Sequence, residues 1–377
     1  MNPTDAAALP LLGYLRMESD DLVRRIQDVR RRWGPKLLIL AHHYQRDDVV
    51  AMTDLRGDSY QLSATAAGND ECRAIVFCGV HFMAETADVL ANAPGLVARR
   101  GGEQVDVILP DVEAGCSMAD LADVDQVEAC WRQLAKVIDV EDVTPVTYIN
   151  SSASLKAFCG RHGGIVCTSS NAAAVVDWAF ARRSRVLFFP DQHLGRNTAL
   201  AMGLTAEAMP IWDPEATSLG GNDAETLRAG RVILWRGHCS VHQAFLPEHV
   251  REVRRRVPGV KVIVHPECRH DVVAEADLAG STGRIIREIE ASPPGTHWAV
   301  GTELNLVNRL RHEHPEQEIE CLAPSVAVCP TMFRIDLARL CWSLENLDAG
   351  TPVNIIRVDD EVARWALVAL ERMLEVK

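Results

Sequence analysis

A chain of 377 residues is long enough for two or three domains and a sizeable core, which excludes a small disulfide-stapled scaffold. Hydrophobic residues make up 47%, charged residues 24% and aromatic residues 5%, the balance of a globular enzyme and not of a disordered or fibrous chain. Thirty-nine Lys plus Arg against 52 Asp plus Glu leave a net charge of −13, which argues against nucleic acid and anionic lipid as partners but admits a small anion in a locally positive pocket.

The opening MNPTDAAALPLLGYLRMESDD has no basic stretch followed by an apolar core, so neither an export signal nor a transit peptide is read there. A helix over 20–34 follows, with Asp20 or Asp21 as its cap and Leu22, Ile26, Val29 and Trp33 along one face. Strands are predicted near 36–41, 74–78, 105–109, 146–149, 165–167, 185–189, 231–235, 260–264 and 298–300. They alternate with helical patterns, the signature of α/β folds with parallel sheets. Amphipathic helices at 334–344 and 362–374 close the chain. The longest apolar runs, such as 172–181, are broken by a charge (Asp177) well before the roughly 18 residues a span needs, so no membrane crossing and a cytoplasmic location are expected.

A pattern recurs three times in the same order. A strand ends in a polar cluster: AHHYQ (41–45), YINSSA (148–153), HPECRH (265–270). A small hydroxylic segment opens a helix: GDSYQLSATAA (57–67), CTSSNAAAVV (167–176), AGSTGRIIREI (279–289). Another strand end and helix follow: GVHFMAETADVL (79–90), PDQHLGRNTAL (190–200), GTELNLVNRL (301–310). A last strand or loop then ends in a lone cysteine: LPDVEAGCS (109–117), LWRGHCS (234–240), APSVAVCP (323–330). The repeats divide the chain at 30–130, 131–255 and 256–345, with a C-terminal helical segment at 346–377. The second carries an acidic, Gly- and Pro-bearing stretch at 203–228 that reads as a surface insertion. If each repeat is one α/β domain, the polar segments lie at the carboxyl ends of strands, where such folds bind ligands.

Eleven cysteines include no CxxC pair, which removes zinc ribbons and thioredoxin-like redox sites. Cys116, Cys239 and Cys329, one per repeat, form a trio that suits an iron–sulfur cluster with one iron left open as a Lewis acid; an all-thiolate zinc is less attractive, since soft donors lower its acidity. Cys268, inside HPEC, is an alternative ligand. His265 and Glu267, two apart after a strand, face one side if the segment is extended and suit acid and base work, and His42 with Tyr44 and Tyr148 with Asn150 share that spacing. Ser59, Thr168–Ser170 and Ser281–Thr282 precede helices, so their hydroxyls and the first N–H groups offer anion sites.

The ordered set AHHYQ, GDS, FMAETADVL, DVEAGC, YINSSASLKA, CTSSNA, PDQHLGRN, WRGHCSVH, HPEC, GST, GTELNL and CPTM resembles the quinolinate synthase family, in a long form with an insertion in the second repeat, over roughly 35–345. The resemblance implies three homologous αβα (Rossmann-like) domains with pseudo-threefold symmetry around a [4Fe–4S] cluster. It implies Cys116, Cys239 and Cys329 as the ligands, against Cys268. The implied reaction condenses iminoaspartate with dihydroxyacetone phosphate to quinolinate, with loss of phosphate and two waters, in NAD biosynthesis. By the same resemblance His42, Ser59, Ser169 and Thr282 hold phosphate or carboxylate groups, Tyr148 and Asn150 contact substrate, and Tyr44 is a mobile tyrosine near the reacting carbons. His265 and Glu267 move protons, and Met332 packs near the cluster. An aspartate oxidase or aspartate dehydrogenase is the implied supplier of iminoaspartate. Some family members carry CxxCxxC at the last ligand; this chain has Val326 three before Cys329, so no thiol–disulfide switch is expected there.

Two other readings fit part of the sequence. A zinc hydrolase would gather His42, His265, His270 and Glu267 around one metal and leave the three cysteines unexplained. A non-enzymatic small-anion sensor would use the same clefts without needing the His–Glu pair.

Overall fold

The structure is a computed structural model that describes residues 8–325 and 327–376; Val326 lies outside them. The chain forms two compact units, Met1–Cys116 with Cys329–Asp359, and Ser117–Val328 with Asp360–Lys377.

The first unit holds one sheet. Strands β1 (Leu37–His42), β2 (Leu55–Gly57), β3 (Ala74–Cys78) and β4 (Asp106–Ile108) run parallel in the order β4-β3-β1-β2, and Ile355–Ile356 adds antiparallel to the outer edge of β4. Helices cover a parallel sheet on both faces, so an inner strand reads as an unbroken apolar run; AIVFC of β3 is buried at every position. The first long helix, Ser19–Trp33, buries Leu22, Ile26 and Val29 as its periodicity predicts. It starts after Glu18 without a side-chain cap, so Asp20 and Asp21 do not cap it. They occupy its first turn, where negative charge favours the exposed N–H groups.

The second unit holds two sheets. One contains β5 (Val143–Tyr148), β6 (Ile165–Cys167), β7 (Arg185–Phe189), β8 (Ile211–Trp212) and β9 (Val232–Trp235), ordered β6-β5-β7-β9-β8. The other contains β10 (Lys261–Val264), β11 (Leu278–Ala279), β12 (His297–Gly301) and β13 (Glu318–Cys321), ordered β11-β10-β12-β13. Every pairing in both is parallel.

Numbered within each sheet, and leaving aside β8 and Ile355–Ile356, all three sheets have the strand order 2-1-3-4. The four recurring sequence segments fall on the four strands in turn. The polar clusters end β1, β5 and β10; the hydroxylic segments follow β2, β6 and β11; the third segments follow β3, β7 and β12; and the lone cysteines follow β4, β9 and β13. Residues 203–228 contribute β8 at a sheet edge and pack a small core of their own. Trp212 is buried, and Gly220 (φ +58°) lies so close to its ring that a Cβ there would come within 2.4 Å of Cδ2.

Five short strands are not legible in the sequence: β2, β8, β11, β13 and Ile355–Ile356. All five are sheet edges, paired on one side only, and so lack the apolar run that marks an inner strand. Among the described residues no helix is long and apolar enough to cross a membrane.

The last helix, Asp360–Glu375, packs on the helix Ala153–Arg161 of the second unit. Arg372 donates to the Gly164 carbonyl at 2.6 Å, and the Asn171 amide donates to the Val376 carbonyl at 3.2 Å. The two backbones touch at Gly160, where an added Cβ would meet the Trp365 carbonyl oxygen at 2.0 Å. Overpacking against backbone has no flexible neighbour to absorb it, so Gly160→Ala is expected to destabilise the second unit by about 1–3 kcal/mol. A urea denaturation midpoint unchanged by this substitution would show that the two helices do not depend on this close approach.

Candidate active site

In each unit the chemistry-bearing side chains sit where parallel strands end. At the end of β1, His42 starts a turn closed by the Gln45 N–H donating to its carbonyl at 3.0 Å, and the Tyr44 N–H donates to its ring Nδ1 at 3.2 Å. The His42 and Tyr44 rings meet edge to face, centroids 4.6 Å apart. After β10 the same geometry recurs: the Cys268 N–H donates to the His265 carbonyl at 2.9 Å and the Glu267 N–H to His265 Nδ1 at 3.3 Å. The i, i+2 pairs are thus brought together by a turn and not by the alternation of an extended strand, because backbone N–H groups freed at the strand end bond to the imidazole and the carbonyl before it. With Nδ1 accepting, the neutral ring carries its proton on Nε2.

The first unit also carries two of the three repeat cysteines. Cys116 ends a loop whose Ala114 carbonyl accepts from the His81 N–H at 2.8 Å. Asp111, buried at the start of that loop, pairs with Arg334 at 3.0 Å and Arg339 at 3.2 Å, both in the segment after Cys329. The loop of Cys116 is therefore clamped to the chain that carries Cys329. Met332 is buried and accepts a long contact from the Gln45 amide at 3.7 Å. Ser59 opens its helix with Asp58 as the cap.

The second unit gathers a buried polar cluster around Glu267. His242 Nδ1 lies 2.7 Å from one carboxylate oxygen, His265 Nδ1 3.9 Å from the other, and Tyr148, buried at the end of β5, hydrogen-bonds the carboxylate. The His242 and His265 rings stack at 4.6 Å, and His242 Nε2 is 3.2 Å from the Thr302 hydroxyl. Burial opposes ionisation of Glu267, but His265, His242 and Tyr148 outweigh it and hold the carboxyl down at about 2. Burial pushes His265 down to about 3, which Glu267 only partly opposes, so the ring is neutral at neutral pH. Asp191, also fully buried, is shifted well upward, first by burial and then by the charge of Glu267. It caps the helix Gln192–Ala201 through the His193 and Leu194 N–H groups. From that helix the Asn197 amide donates to the Pro266 and Cys268 carbonyls, each at 2.8 Å, and so pins the His265–Cys268 turn.

Other expected residues of this unit are placed less closely. Asn150 has a buried side-chain oxygen with no hydrogen-bond partner. Thr282 is buried behind the cap Ser281. In the CTSSN segment Ser170 is exposed and bonds the Thr168 hydroxyl at 3.1 Å, whereas Ser169 is half-buried. Cys268 is buried with its thiol 3.7 Å from the Gly301 carbonyl oxygen, and burial pushes the thiol well upward. Seven of the eleven cysteines are buried; Cys116, Cys239 and Cys329, with Cys321, are half-buried. His270 turns its Nδ1 to Asn197 at 3.1 Å, so it does not join His265 and Glu267 as the hydrolase reading required. Among the described residues the metal-capable group is instead Cys239, His242 and Glu267, whose ligand atoms lie within 4.8 Å of one another.

His242, Asp191, Asn197 and Thr302 were not singled out from the sequence. For His242 a signal exists: it stands three after Cys239 in CSVH, the C-x-x-H spacing of metal sites.

Parallel sheets that gather buried acids, imidazoles and cysteines at their carboxyl ends define an α/β enzyme with a small-molecule site at the strand ends. The family model for the quinolinate synthetase A protein (NadA) matches residues 24–375. The quinolinate synthase of Rhodopirellula baltica is 63% identical over 368 residues, 98% of this chain and 94% of that protein. Those of Acidobacterium capsulatum and a Nocardioides species are 53% and 52% identical over 373 and 370 residues, 98% and 96% of this chain and 97% and 91% of those proteins. The chain belongs to the quinolinate synthase family, and it is an enzyme with small-molecule substrates.

Burial also pushes His193 down to about 4. Between these depressed values and the 6.5 of an unperturbed imidazole, the unfolded chain binds more protons than the folded one. Stability of the second unit is therefore complete above about pH 6.5 and falls as the pH drops from there toward 4. Urea midpoints measured across that range should decline, and less steeply in His265→Asn; a flat profile would mean that His265 and His193 are not held neutral by burial.

Proposed function

We propose that the chain condenses iminoaspartate with dihydroxyacetone phosphate to quinolinate, releasing phosphate and two waters, in the cytoplasmic synthesis of NAD. The reading is supported most by one observation: in each of three sheets of the same strand order, the fourth strand leads to one half-buried cysteine. Three soft donors of this kind fit three corners of a [4Fe–4S] cluster, and the deeply buried Cys268 does not. Cys116, Cys239 and Cys329 would hold the group, which when bound supplies one iron without a thiolate as a Lewis acid for a substrate oxygen. The overall reaction needs no net electron transfer.

The remaining steps fall to the protein's own groups. His42, Ser59, Ser169 and Thr282, each at a strand end or a helix start, bind the phosphate and carboxylates of the two anionic substrates. Tyr148 and Asn150 orient the substrate, Asn150 through the side-chain oxygen that is buried without a partner. Glu267, ionised, takes protons from carbon or nitrogen. His265, neutral with its proton on Nε2, donates to departing oxygen. Tyr44, half-buried beside His42, covers the reacting carbons. Iminoaspartate hydrolyses readily, so an aspartate oxidase or aspartate dehydrogenase working beside the enzyme is its natural source.

Anaerobic purification with iron and sulfide analysis and an absorption spectrum tests the reading. About four irons and four sulfides per chain are expected. Each of Cys116→Ala, Cys239→Ala and Cys329→Ala should lose them, while Cys268→Ala keeps them; stoichiometric zinc without sulfide would overturn the reading. Glu267→Gln should keep iron and sulfide yet lose at least about a hundredfold in quinolinate formation. Undiminished turnover would remove Glu267 from the chemistry.

A further inference from the structure

Cys239, His242 and Glu267 make a donor set that does not depend on the other two repeat cysteines. All three belong to the second unit, and their ligand atoms lie within 4.8 Å of one another. A thiolate, an imidazole and a carboxylate are the donors that borderline-soft divalent ions prefer, and three of them with an open fourth position make a tetrahedral site. The supports such a site needs are already built. His242 Nδ1 and Glu267 face each other at 2.7 Å, so an ion entering between them needs the two ligand atoms to part by roughly 0.7 Å. The other ring nitrogen, Nε2, is 3.2 Å from the Thr302 hydroxyl, which fixes the orientation of the ring, and the stacked His265 ring holds it from one face. His242 and Glu267 are at least 95% buried, so their order is imposed by the core and costs little to keep.

We infer that the cluster-free chain binds one zinc-class divalent ion at Cys239, His242 and Glu267, and that this ion blocks cluster assembly by occupying Cys239 and the acid–base pair. The binding site rests on the geometry of the second unit alone; the blocking effect rests also on the proposed use of Cys239 as a cluster ligand. The site would make metal supply a control on the enzyme, with zinc excess holding the chain inactive and reversibly protected.

The test titrates the full cluster-free chain anaerobically with Co²⁺, then with Zn²⁺. One Co²⁺ per chain is expected, with the intense visible bands of tetrahedral cobalt and a near-ultraviolet thiolate-to-cobalt band, both erased by one Zn²⁺. Cys239→Ala should lose the thiolate band, whereas Cys116→Ala and Cys329→Ala should keep it. Thr302→Val should keep the band and weaken affinity about tenfold to a hundredfold. Should Cys239→Ala fail to fold, Glu267→Gln serves in its place and should keep the band with weaker binding. A weak octahedral spectrum, or a thiolate band that survives Cys239→Ala and vanishes in Cys116→Ala or Cys329→Ala, overturns the site. In the second arm, zinc-loaded chain should take up less than a tenth of the iron and sulfide accepted by the metal-free chain, and a chelator should restore uptake. Equal uptake overturns the blocking effect. Failure of the metal-free chain itself to take up iron and sulfide overturns the cluster reading, and with it the blocking effect, but leaves the cobalt result standing.

Discussion

A carboxylate buried at the end of a strand has to find its hydrogen bonds inside the protein, and the arrangement of the second unit follows from meeting that demand at Glu267. Moving an isolated carboxylate out of water is prohibitive, so it either takes up a proton or is surrounded by donors. Here it is surrounded. Tyr148 arrives from the end of β5 and His242 from the short helix after β9, both as donors to the carboxylate of Glu267, which itself stands in the turn after β10. Two different sheets must therefore bring their ends to one carboxyl group. The Asn197 amide, bonded to both the Pro266 and Cys268 carbonyls, joins the helix of one sheet to the turn of the other.

The same demand separates the roles of neighbouring groups. Glu267 and Asp191 are both buried, yet Glu267 has imidazoles and a phenol around it and stays ionised, while Asp191 is driven the other way by burial and by the charge Glu267 already carries. His265 stays neutral although it lies beside a carboxylate, since burial dominates. An ionised base and a neutral ring acid at the same strand end form a pair suited to moving protons at neutral pH. Parallel pairing makes this possible, because all strands of such a sheet end at one edge and their loops share one region of space.

Much of this was legible in the sequence, for definite reasons. The inner strands β3 and β7, apolar but for Arg185, were read at their true limits, as was the short apolar edge strand β6, whereas the edge strands β2, β11 and β13, though part of the same 2-1-3-4 order, carry no such run. The four-part repeat was visible because each strand ends in a segment of distinctive composition. Pairing of His265 with Glu267 was anticipated, but through an extended strand; the turn that makes it depends on backbone N–H groups, which side-chain spacing does not reveal. His242 and Thr302 were missed since each acts through a partner far along the chain. The expected cap at Asp20 or Asp21 failed for a smaller reason: the helix starts one turn earlier than its apolar face.

The first unit is discontinuous, and this bears on the order in which the protein comes together during synthesis. Residues up to Cys116 emerge early, but the segment Cys329–Asp359 that completes the unit, with the edge strand Ile355–Ile356 and the arginines that clamp Asp111, comes about 200 residues later. N-terminal domains generally fold first on the ribosome. Here the first sheet must wait, unfinished at one edge, while both sheets of the second unit are made, and the second unit in turn waits for the helix Asp360–Glu375, which is made after Cys329–Asp359. Neither unit is therefore complete until the segment after Cys329 has been made, so the clamp on the loop of Cys116 and the helix that covers Ala153–Arg161 form late and close together in time.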